Sequence, residues 1–179
     1  EHAATTLHHL HQRGCTSCTV AVNLAALSLV DVELPKRISD IVRACGIDAS
    51  SMHLEITETS TFGDTDASMA TLTRLSELGF SIHLDDFGTG MSSLAHLREL
   101  PIDGLKIDRS FVMEATDDGN DRDAAIIEAT IQLAHSLGFC VIGEGVETEE
   151  ILQMLTEFGC DFAQGYGLHR PAPRETVLA

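Results

Sequence analysis

Short apolar runs recur along the chain, separated by longer segments whose apolar positions lie three or four residues apart. Short runs rich in Val and Ile indicate strands, whereas the longer spacing indicates one face of a helix. The helical spacing is clearest at Ala67, Ala70, Leu72 and Leu75 and at Ile126, Ile127, Thr130, Ile131 and Ala134. The predicted strands are TVAVN (19–23), MHLEI (52–56), SIHLD (81–85), GLKID (104–108), CVIGE (140–144) and DFAQG (161–165).

Glycine residues mark where most of the predicted helices end. Glycine fits the left-handed conformation that allows a helix to stop and turn, and each of these glycines precedes a strand candidate by a few residues. Strands that alternate with helices in this way indicate βα units and a parallel sheet. The five glycines are Gly14, Gly46, Gly79, Gly138 and Gly159.

Each predicted strand ends in a polar residue that packing alone does not require. In a (β/α) barrel the carboxyl ends of all strands meet at one mouth, so such residues would converge. An open doubly wound sheet would instead carry a glycine-rich phosphate loop, and neither G-x-G-x-x-G nor a Walker sequence occurs. We therefore predict an α/β barrel with six strands in this chain. The polar residues are Asn23, Glu55, Asp85, Lys106 with Asp108, Glu144 and Gln164.

Three of these residues, Glu55, Asp85 and Glu144, together with Asp86 would put four carboxylates in one concavity, where they would repel one another unless a cation compensated. Oxygen ligands without His or thiolate suit Mg²⁺ or Mn²⁺, and the adjacent Asp85 and Asp86 could serve two ions. Beside two dications the ammonium form of Lys106 would be disfavoured, so Lys106 could position or deprotonate a water molecule. The alternatives are a turn or helix cap for the Asp-Asp pair and an edge position for the lysine.

Composition and charge restrict the classes of protein further. The 179 residues, 44% of them hydrophobic, suffice for one core, so we expect a single domain over residues 1–179. A net charge of −17 argues against DNA or an anionic membrane as a direct partner. No apolar run approaches the length of a membrane span, and no signal-peptide pattern is present, so we expect a cytoplasmic protein.

The cysteine and histidine residues suggest a second, weaker metal hypothesis near the N-terminus. Five scattered cysteines favour reduced thiols over a disulfide framework. A cluster with C-x-x-C spacing could bind zinc, but no second C-x-x-C occurs, so an exposed helix end with two half-buried thiols is the preferred interpretation. His53 and His83 are interpreted as packed, hydrogen-bonded core residues. The cluster comprises His8, His9, His11, Cys15 and Cys18.

Six consecutive motifs resemble those of the EAL domain family, whose members are modified TIM barrels that act as phosphodiesterases on cyclic di-GMP. The resemblance covers nearly the whole chain, and the motifs occur in the family's order. It implies hydrolysis of cyclic di-GMP to linear pGpG by water activated by two metal ions. The motifs are VNL (22–24), LEITE (54–58), DDFGTGMSSL (85–94), LPIDGLKIDRSFV (100–112), EGVET (144–148) and GCDFAQGYGLHRP (159–171).

The resemblance also implies a role for individual residues. Lys106, Glu144 and Gln164 match catalytic and water-site positions. The positions that match metal ligands for two Mg²⁺ or Mn²⁺ ions are Asn23, Glu55, Asp85, Asp86 and Glu144. Supporting roles around the site and its loop fall to Glu58, Asp108 and Glu147, and substrate contacts to Arg170 and Pro171.

One departure from the family is that the name-giving Glu-Ala-Leu sequence does not occur. With six strands where the architecture has about eight, we expect a single EAL-type barrel domain, 1–179, that lacks its N-terminal strands. A catalytically inactive cyclic di-GMP receptor or a dimerising regulatory module is therefore an alternative. The resemblance further implies a homodimer and, in the parent protein, a fused sensory or cyclase domain.

Overall fold

The computed structural model describes residues 1–58, 65–88, 94–115 and 121–178, apart from the side chains of Thr65 and Asp121. The helices of this part are α1 (His2–Gln12), α2 (Leu34–Ala44), α3 (Thr65–Glu77), α4 (Leu94–Glu99), α5 (Arg109–Glu114), α6 (Asp121–Ser136), α7 (Glu149–Glu157) and α8 (Arg174–Val177). The strands are β1 (Val20–Asn23), β2 (Met52–Thr57), β3 (Ser81–Phe87), β4 (Gly104–Ile107), β5 (Cys140–Gly143) and β6 (Phe162–Ala163).

The six strands form one sheet in chain order, and each coincides with a run predicted from the sequence. β1 pairs in parallel with β2, which places Asn23 opposite Glu55. β4 pairs in parallel with β5 and β5 with β6, so Gly143 is opposite Ala163. Parallel pairs require a crossover, and helices supply it between the paired strands. The prediction of βα units with a parallel sheet is confirmed.

The five predicted helix stops are confirmed. All five glycines have positive φ, between 66° at Gly46 and 94° at Gly14. At Gly14 the glycine N–H donates to the carbonyl of His11, and the next N–H, that of Cys15, donates to the carbonyl of Leu10. This pair of hydrogen bonds is the Schellman motif, and it recurs at the other four glycines. The motif turns the chain sharply, so each following strand begins within a few residues.

The chain divides into two compact units, and β3 runs from one into the other. The first contains residues 1–83, 100–102 and 172–179, and the second contains residues 84–99 and 103–171. The core of the first unit includes Leu7, Leu54, Ile56, Leu72, Leu75 and Ile82. The core of the second unit includes Leu84, Leu97, Leu105, Ile127, Ile131 and Val141. Two of the helical positions predicted to be apolar, Ala70 and Ile126, are exposed, whereas the buried ones are Leu72, Leu75, Ile127, Ile131 and Ala134.

Two histidines pack together inside the first unit. The ring centroids of His53 on β2 and His83 on β3 are 4.5 Å apart. His83 is buried, and its Nε2 lies 3.1 Å from the hydroxyl of Ser81. Both observations agree with the interpretation of these residues as packed, hydrogen-bonded core histidines.

Of the helices described, none combines the length and the apolar character that crossing a bilayer requires.

Candidate active site

Three carboxylates cluster in the second unit where strands end. Asp85 and Asp86 lie near the end of β3, and Glu144 directly follows β5. One carboxylate oxygen from each residue lies within 4.8 Å of an oxygen of each of the other two, and all three side chains are partly buried. The amide of Glu144 donates to the carbonyl of Ile107, which fixes this position beside the end of β4. An all-oxygen set of this kind suits a hard divalent cation.

Lys106 of β4 is the cation that this structure places between two of the carboxylates. Its Nζ lies 2.9 Å from Asp85 Oδ1 and 2.7 Å from Glu144 Oε1. The lysine is 4% exposed, so water screens these ion pairs little. All four residues of β4 are buried, which excludes the alternative of an edge lysine with its ammonium group in water.

Asp86 has a strained backbone. Its φ of +56° is the single positive value among the non-glycine residues described. Asp tolerates the left-handed region better than most residues, but the conformation still costs free energy. Its amide donates to Asp85 Oδ1 at 3.1 Å, so the two aspartates also bond to each other. Strain of this kind is often found at functional sites.

Gln164 follows β6, and its position is fixed by the backbone. Its amide donates to the carbonyl of Gly143 at 2.8 Å, and its carbonyl accepts from the amide of Val146 at 3.0 Å. A Cβ on Gly165 would lie 2.1 Å from the carbonyl oxygen of Val146. Only glycine permits this close approach of two backbone segments.

Two cavities in the second unit share Gln164, Gly165 and Tyr166. The first, about 170 Å³, is also lined by Glu144, Glu147 and Arg109. The second, about 250 Å³, is also lined by His169, Arg170 and Pro171. Each cavity is smaller than the roughly 300–1,000 Å³ that sites for drug-sized ligands occupy.

Two lining residues were not identified as site candidates from the sequence. Arg109 Nη2 lies 3.6 Å from Glu147 Oε1, and the guanidinium of Arg170 lies 5.4 Å from the centre of the Tyr166 ring. Arg109 and Tyr166 each lie one or two residues past a polar strand end. That position in the sequence could have identified them as site candidates.

A strand that continued through Asp108 would place its side chain on the same face as that of Lys106. β4 ends at Ile107, and the Asp108 carboxylate accepts hydrogen bonds from the amide and the hydroxyl of Ser110. Asp108 thereby caps the N-terminus of α5. The alternation expected from a strand no longer applies once the chain turns into a helix.

The remaining candidates, Asn23, Glu55 and Glu58, belong to the first unit. Asn23 ends β1 and is exposed, whereas Glu55 is 8% and Glu58 2% exposed. The amide of Leu24 donates to the carbonyl of Glu55 at 2.8 Å, which joins the ends of β1 and β2. Thr89 and Gly90 of the LDDFGTG sequence lie outside the described residues.

The N-terminal histidines and cysteines do not form a metal centre in the described part of the chain, where the carboxylate cluster alone has suitable geometry. His9 Nδ1 bonds to the carbonyl of Thr5, and His11 Nε2 to that of Cys18. None of the five cysteines forms a disulfide, which agrees with the expectation of free thiols.

The sequence pattern of the EAL domain family matches residues 1–171. The chain belongs to the EAL domain family. It is 41% identical over 166 residues to MucR of Pseudomonas aeruginosa, a bifunctional diguanylate cyclase and cyclic di-GMP phosphodiesterase. It is 42% identical over 171 residues to the cyclic di-GMP phosphodiesterase NbdA of the same organism. These matches cover 93% and 96% of the chain but 24% and 22% of the relatives, so this EAL domain spans about a quarter of their length.

Solved structures of EAL proteins have the same fold. The PaMucR phosphodiesterase in complex with c-di-GMP matches with a TM-score of 0.91 and 38% identity, over 98% of this chain and 70% of the other. Klebsiella pneumoniae BlrP1, in a manganese and cyclic di-GMP complex, matches with a TM-score of 0.85 and 28% identity, over 96% and 43%. The predicted fold class, a modified TIM barrel with six strands in this chain, is confirmed.

Proposed function

We propose that residues 1–179 form a phosphodiesterase domain that hydrolyses cyclic di-GMP to linear pGpG. The observation that carries the proposal is the buried Lys106 between Asp85 and Glu144, beside Asp86, in a member of the EAL domain family. Related proteins that are cyclic di-GMP phosphodiesterases, or that are solved with this ligand, support the choice of substrate.

The proposed reaction adds water to one phosphodiester of the cyclic dinucleotide. The water oxygen forms a bond to phosphorus while the bond from phosphorus to a ribose 3′ oxygen breaks, and the water proton ends on that oxygen. Lys106 Nζ, fixed by Asp85 and Glu144, orients the water and relays the proton. Gln164, whose backbone is bonded to Gly143 and Val146, contributes a second polar group that holds the water.

The residues present fit Mg²⁺ or Mn²⁺, with two ions proposed. Asp85, Asp86 and Glu144 would hold the metal, because their oxygens already lie within 4.8 Å of one another. When bound, the metal would supply positive charge for the phosphate and lower the pKa of water. For Asn23 and Glu55 the role of metal ligand stays a prediction.

Substrate binding is proposed for the two adjoining cavities. Arg170 and Pro171 line one and Arg109 lines the other, so each has a guanidinium group available for phosphate. We assign Glu147 to the orientation of Arg109, 3.6 Å away. Glu58 and Asp108 are proposed to support the site through the backbone around it.

The test is hydrolysis of cyclic di-GMP with Mg²⁺ or Mn²⁺, followed by chromatography for pGpG. We expect product from the unchanged chain and a loss on the order of 100-fold or more in Lys106→Met. Lys36→Met is the matched control, because Lys36 forms a surface ion pair with Asp40 and should leave the rate unchanged. Equal rates in Lys106→Met and the unchanged chain would contradict the proposal.

A receptor that binds cyclic di-GMP without hydrolysis is the second candidate. The observation that favours it is that Arg109 and Arg170 line the two adjoining cavities, so contacts to the ligand do not all depend on the metal. Equilibrium dialysis with labelled cyclic di-GMP separates the two functions. Binding without any pGpG, with either metal, would assign the chain to the receptor class and exclude the phosphodiesterase proposal.

We further propose that the domain forms a homodimer in the cytoplasm, within a protein that carries a sensory or cyclase domain. Large apolar side chains that follow β3 are exposed, namely Leu94, Met113 and Ile126 on α4, α5 and α6, and they offer an apolar contact surface. The five free thiols suit a reducing compartment. Sedimentation equilibrium should give twice the chain mass, and a monomer mass at every concentration would contradict the homodimer.

A further inference from the structure

The Cys15–Cys18 segment forms a tight turn at the end of α1. The Schellman motif around Gly14 holds Cys15 in place, because the Cys15 amide donates to the carbonyl of Leu10 at 3.1 Å. The amide of Cys18 then donates back to the carbonyl of Cys15, also at 3.1 Å. This hydrogen bond closes a four-residue β-turn with a cysteine at each end.

The turn brings the two cysteines within the range that a disulfide requires. A four-residue turn keeps its terminal Cα atoms less than about 7 Å apart, and disulfides span about 4.4–6.8 Å between Cα atoms. Partial burial and the neighbouring Cys15 thiol raise the pKa of Cys18, whereas Cys15 is exposed to solvent.

The far side of the turn is fixed by His11 of α1. Its Nε2 donates to the carbonyl of Cys18 at 2.8 Å, so both cysteines are tied to the same helix end. Cys160 differs, because its thiol donates to the carbonyls of Val141 and Phe162. Hydrogen bonds to α1 therefore hold both ends of a turn whose Cα separation lies in the range that a disulfide can span.

We propose that Cys15 and Cys18 form a redox-active dithiol that closes reversibly into a disulfide with low-molecular-weight disulfides such as oxidised glutathione. The Cys15 thiolate attacks one glutathione sulfur and releases the other as glutathione thiolate. The Cys18 thiolate then attacks the Cys15 sulfur of the mixed disulfide and releases the second glutathione. Two cysteine thiols are oxidised, one external disulfide is reduced, and the two protons of the cysteines pass to the glutathione thiolates.

The proposed disulfide would connect a helix end to the start of the sheet. Cys18 lies two residues before β1, which pairs with β2 along its whole length. Closing the bond would add a covalent link where His11 now supplies a hydrogen bond. This modification is independent of the proposed hydrolysis, so its test does not depend on activity.

The test incubates the metal-free chain with glutathione buffers of increasing oxidised fraction, followed by alkylation of free thiols and peptide mass spectrometry. We expect two of the five thiols to disappear together, with both cysteines in one peptide that has lost two hydrogen atoms. Reduced glutathione should restore both thiols. Cys18→Ser should stop at a mixed disulfide on Cys15, whereas Cys45→Ser, the matched control, should leave the paired loss unchanged.

Three results would overturn the proposal. The first is five free thiols at every oxidised fraction, and the second is a stable mixed disulfide on Cys15 of the unchanged chain. The third is disulfide-linked chain pairs on a non-reducing gel without the intramolecular bond. Zinc titration of the reduced chain provides a further discriminating result, because tight stoichiometric binding that is lost in Cys18→Ser and kept in Cys45→Ser would assign the pair to a metal site instead.

Discussion

Lys106 and Lys36 show how burial changes what a lysine does. Lys36 is 2.9 Å from Asp40, but both side chains are largely exposed, so water and salt weaken the pair. The Lys106 ammonium lies at similar distances from Asp85 and Glu144 but is almost completely buried. Its removal would leave two partly buried carboxylates without a compensating charge, which is costly.

Lys106→Met should therefore destabilise the domain by about 3–5 kcal/mol when divalent cations are absent. Part of that loss should be recovered with Mn²⁺, because the cation replaces the missing positive charge beside Asp85 and Glu144. Urea unfolding with and without Mn²⁺ measures both effects, with Lys36→Met as the control. A Lys106→Met variant as stable as the unchanged chain without metal would show that Lys106 does not compensate the acidic residues.

At the scale of elements, the ends of β5 and β6 are held together by backbone contacts. The carbonyl of Gln164 accepts from Val146, and Gly165 packs against the same residue. The start of β6 is fixed by Asp161, whose carboxylate accepts from the amide of Val141 at 2.8 Å and lies 2.9 Å from His135 Nε2. Both contacts determine where Gln164 lies relative to Glu144.

Gly165→Ala should distort this region, because the new Cβ would overlap backbone atoms of Val146. Overpacking of this kind typically costs about 1–3 kcal/mol, and we expect loss of hydrolysis together with that destabilisation. Gly46→Ala is the matched control, since a Cβ there meets no atom within 4 Å. That variant therefore measures only the cost of placing alanine at a positive φ. Unfolding and activity assays of both variants measure these effects. Full activity in Gly165→Ala would show that hydrolysis does not require the close approach of Gly165 to Val146.

The pH dependence of stability should depend on Asp161. Partial burial raises its pKa, but the hydrogen bonds from His135 and from the Val141 amide together outweigh burial, so the pKa lies below the ordinary value. A carboxyl with a lowered pKa stabilises the fold above its unfolded pKa, and that stabilisation is lost as pH falls through the folded pKa.

Chemical unfolding from neutral to acidic pH should thus show a smaller acid loss of stability in Asp161→Asn than in the unchanged chain. His135→Gln should lose stability at a higher pH, because the pKa of Asp161 moves back up. Identical pH profiles for the unchanged chain and Asp161→Asn would contradict this account.

For the whole molecule, an ion that binds only the folded state must raise thermal stability. Mn²⁺ at 100 times its Kd adds about 2.7 kcal/mol, which corresponds to a Tm rise of roughly 5–10 °C for a chain of this size. The rise should be lost in Asp86→Asn, which keeps the backbone preference of Asp86 but removes a charge from the cluster. Thermal scans with Mn²⁺ and with a chelator measure the rise in Tm. An equal rise in the unchanged chain and in Asp86→Asn would remove Asp86 from the metal ligands.

The sequence by itself determined the strands, the helix ends and the polar strand ends. These features depend on local periodicity and on backbone preferences. The apolar runs therefore predicted strands, and Gly14 and Gly46 predicted helix ends, without knowledge of distant residues. The EAL motifs likewise identified the family, because each is a contiguous stretch of sequence.

Only the tertiary structure decided which side chains meet. The two partners of Lys106 come from β3 and from the residue after β5, and their distances depend on how β4 packs among its neighbours. The end of β4 turned Asp108 into a helix cap, and the approach of Val146 made glycine necessary at Gly165. Contacts between residues far apart in sequence follow from strand order and packing, which local patterns do not specify.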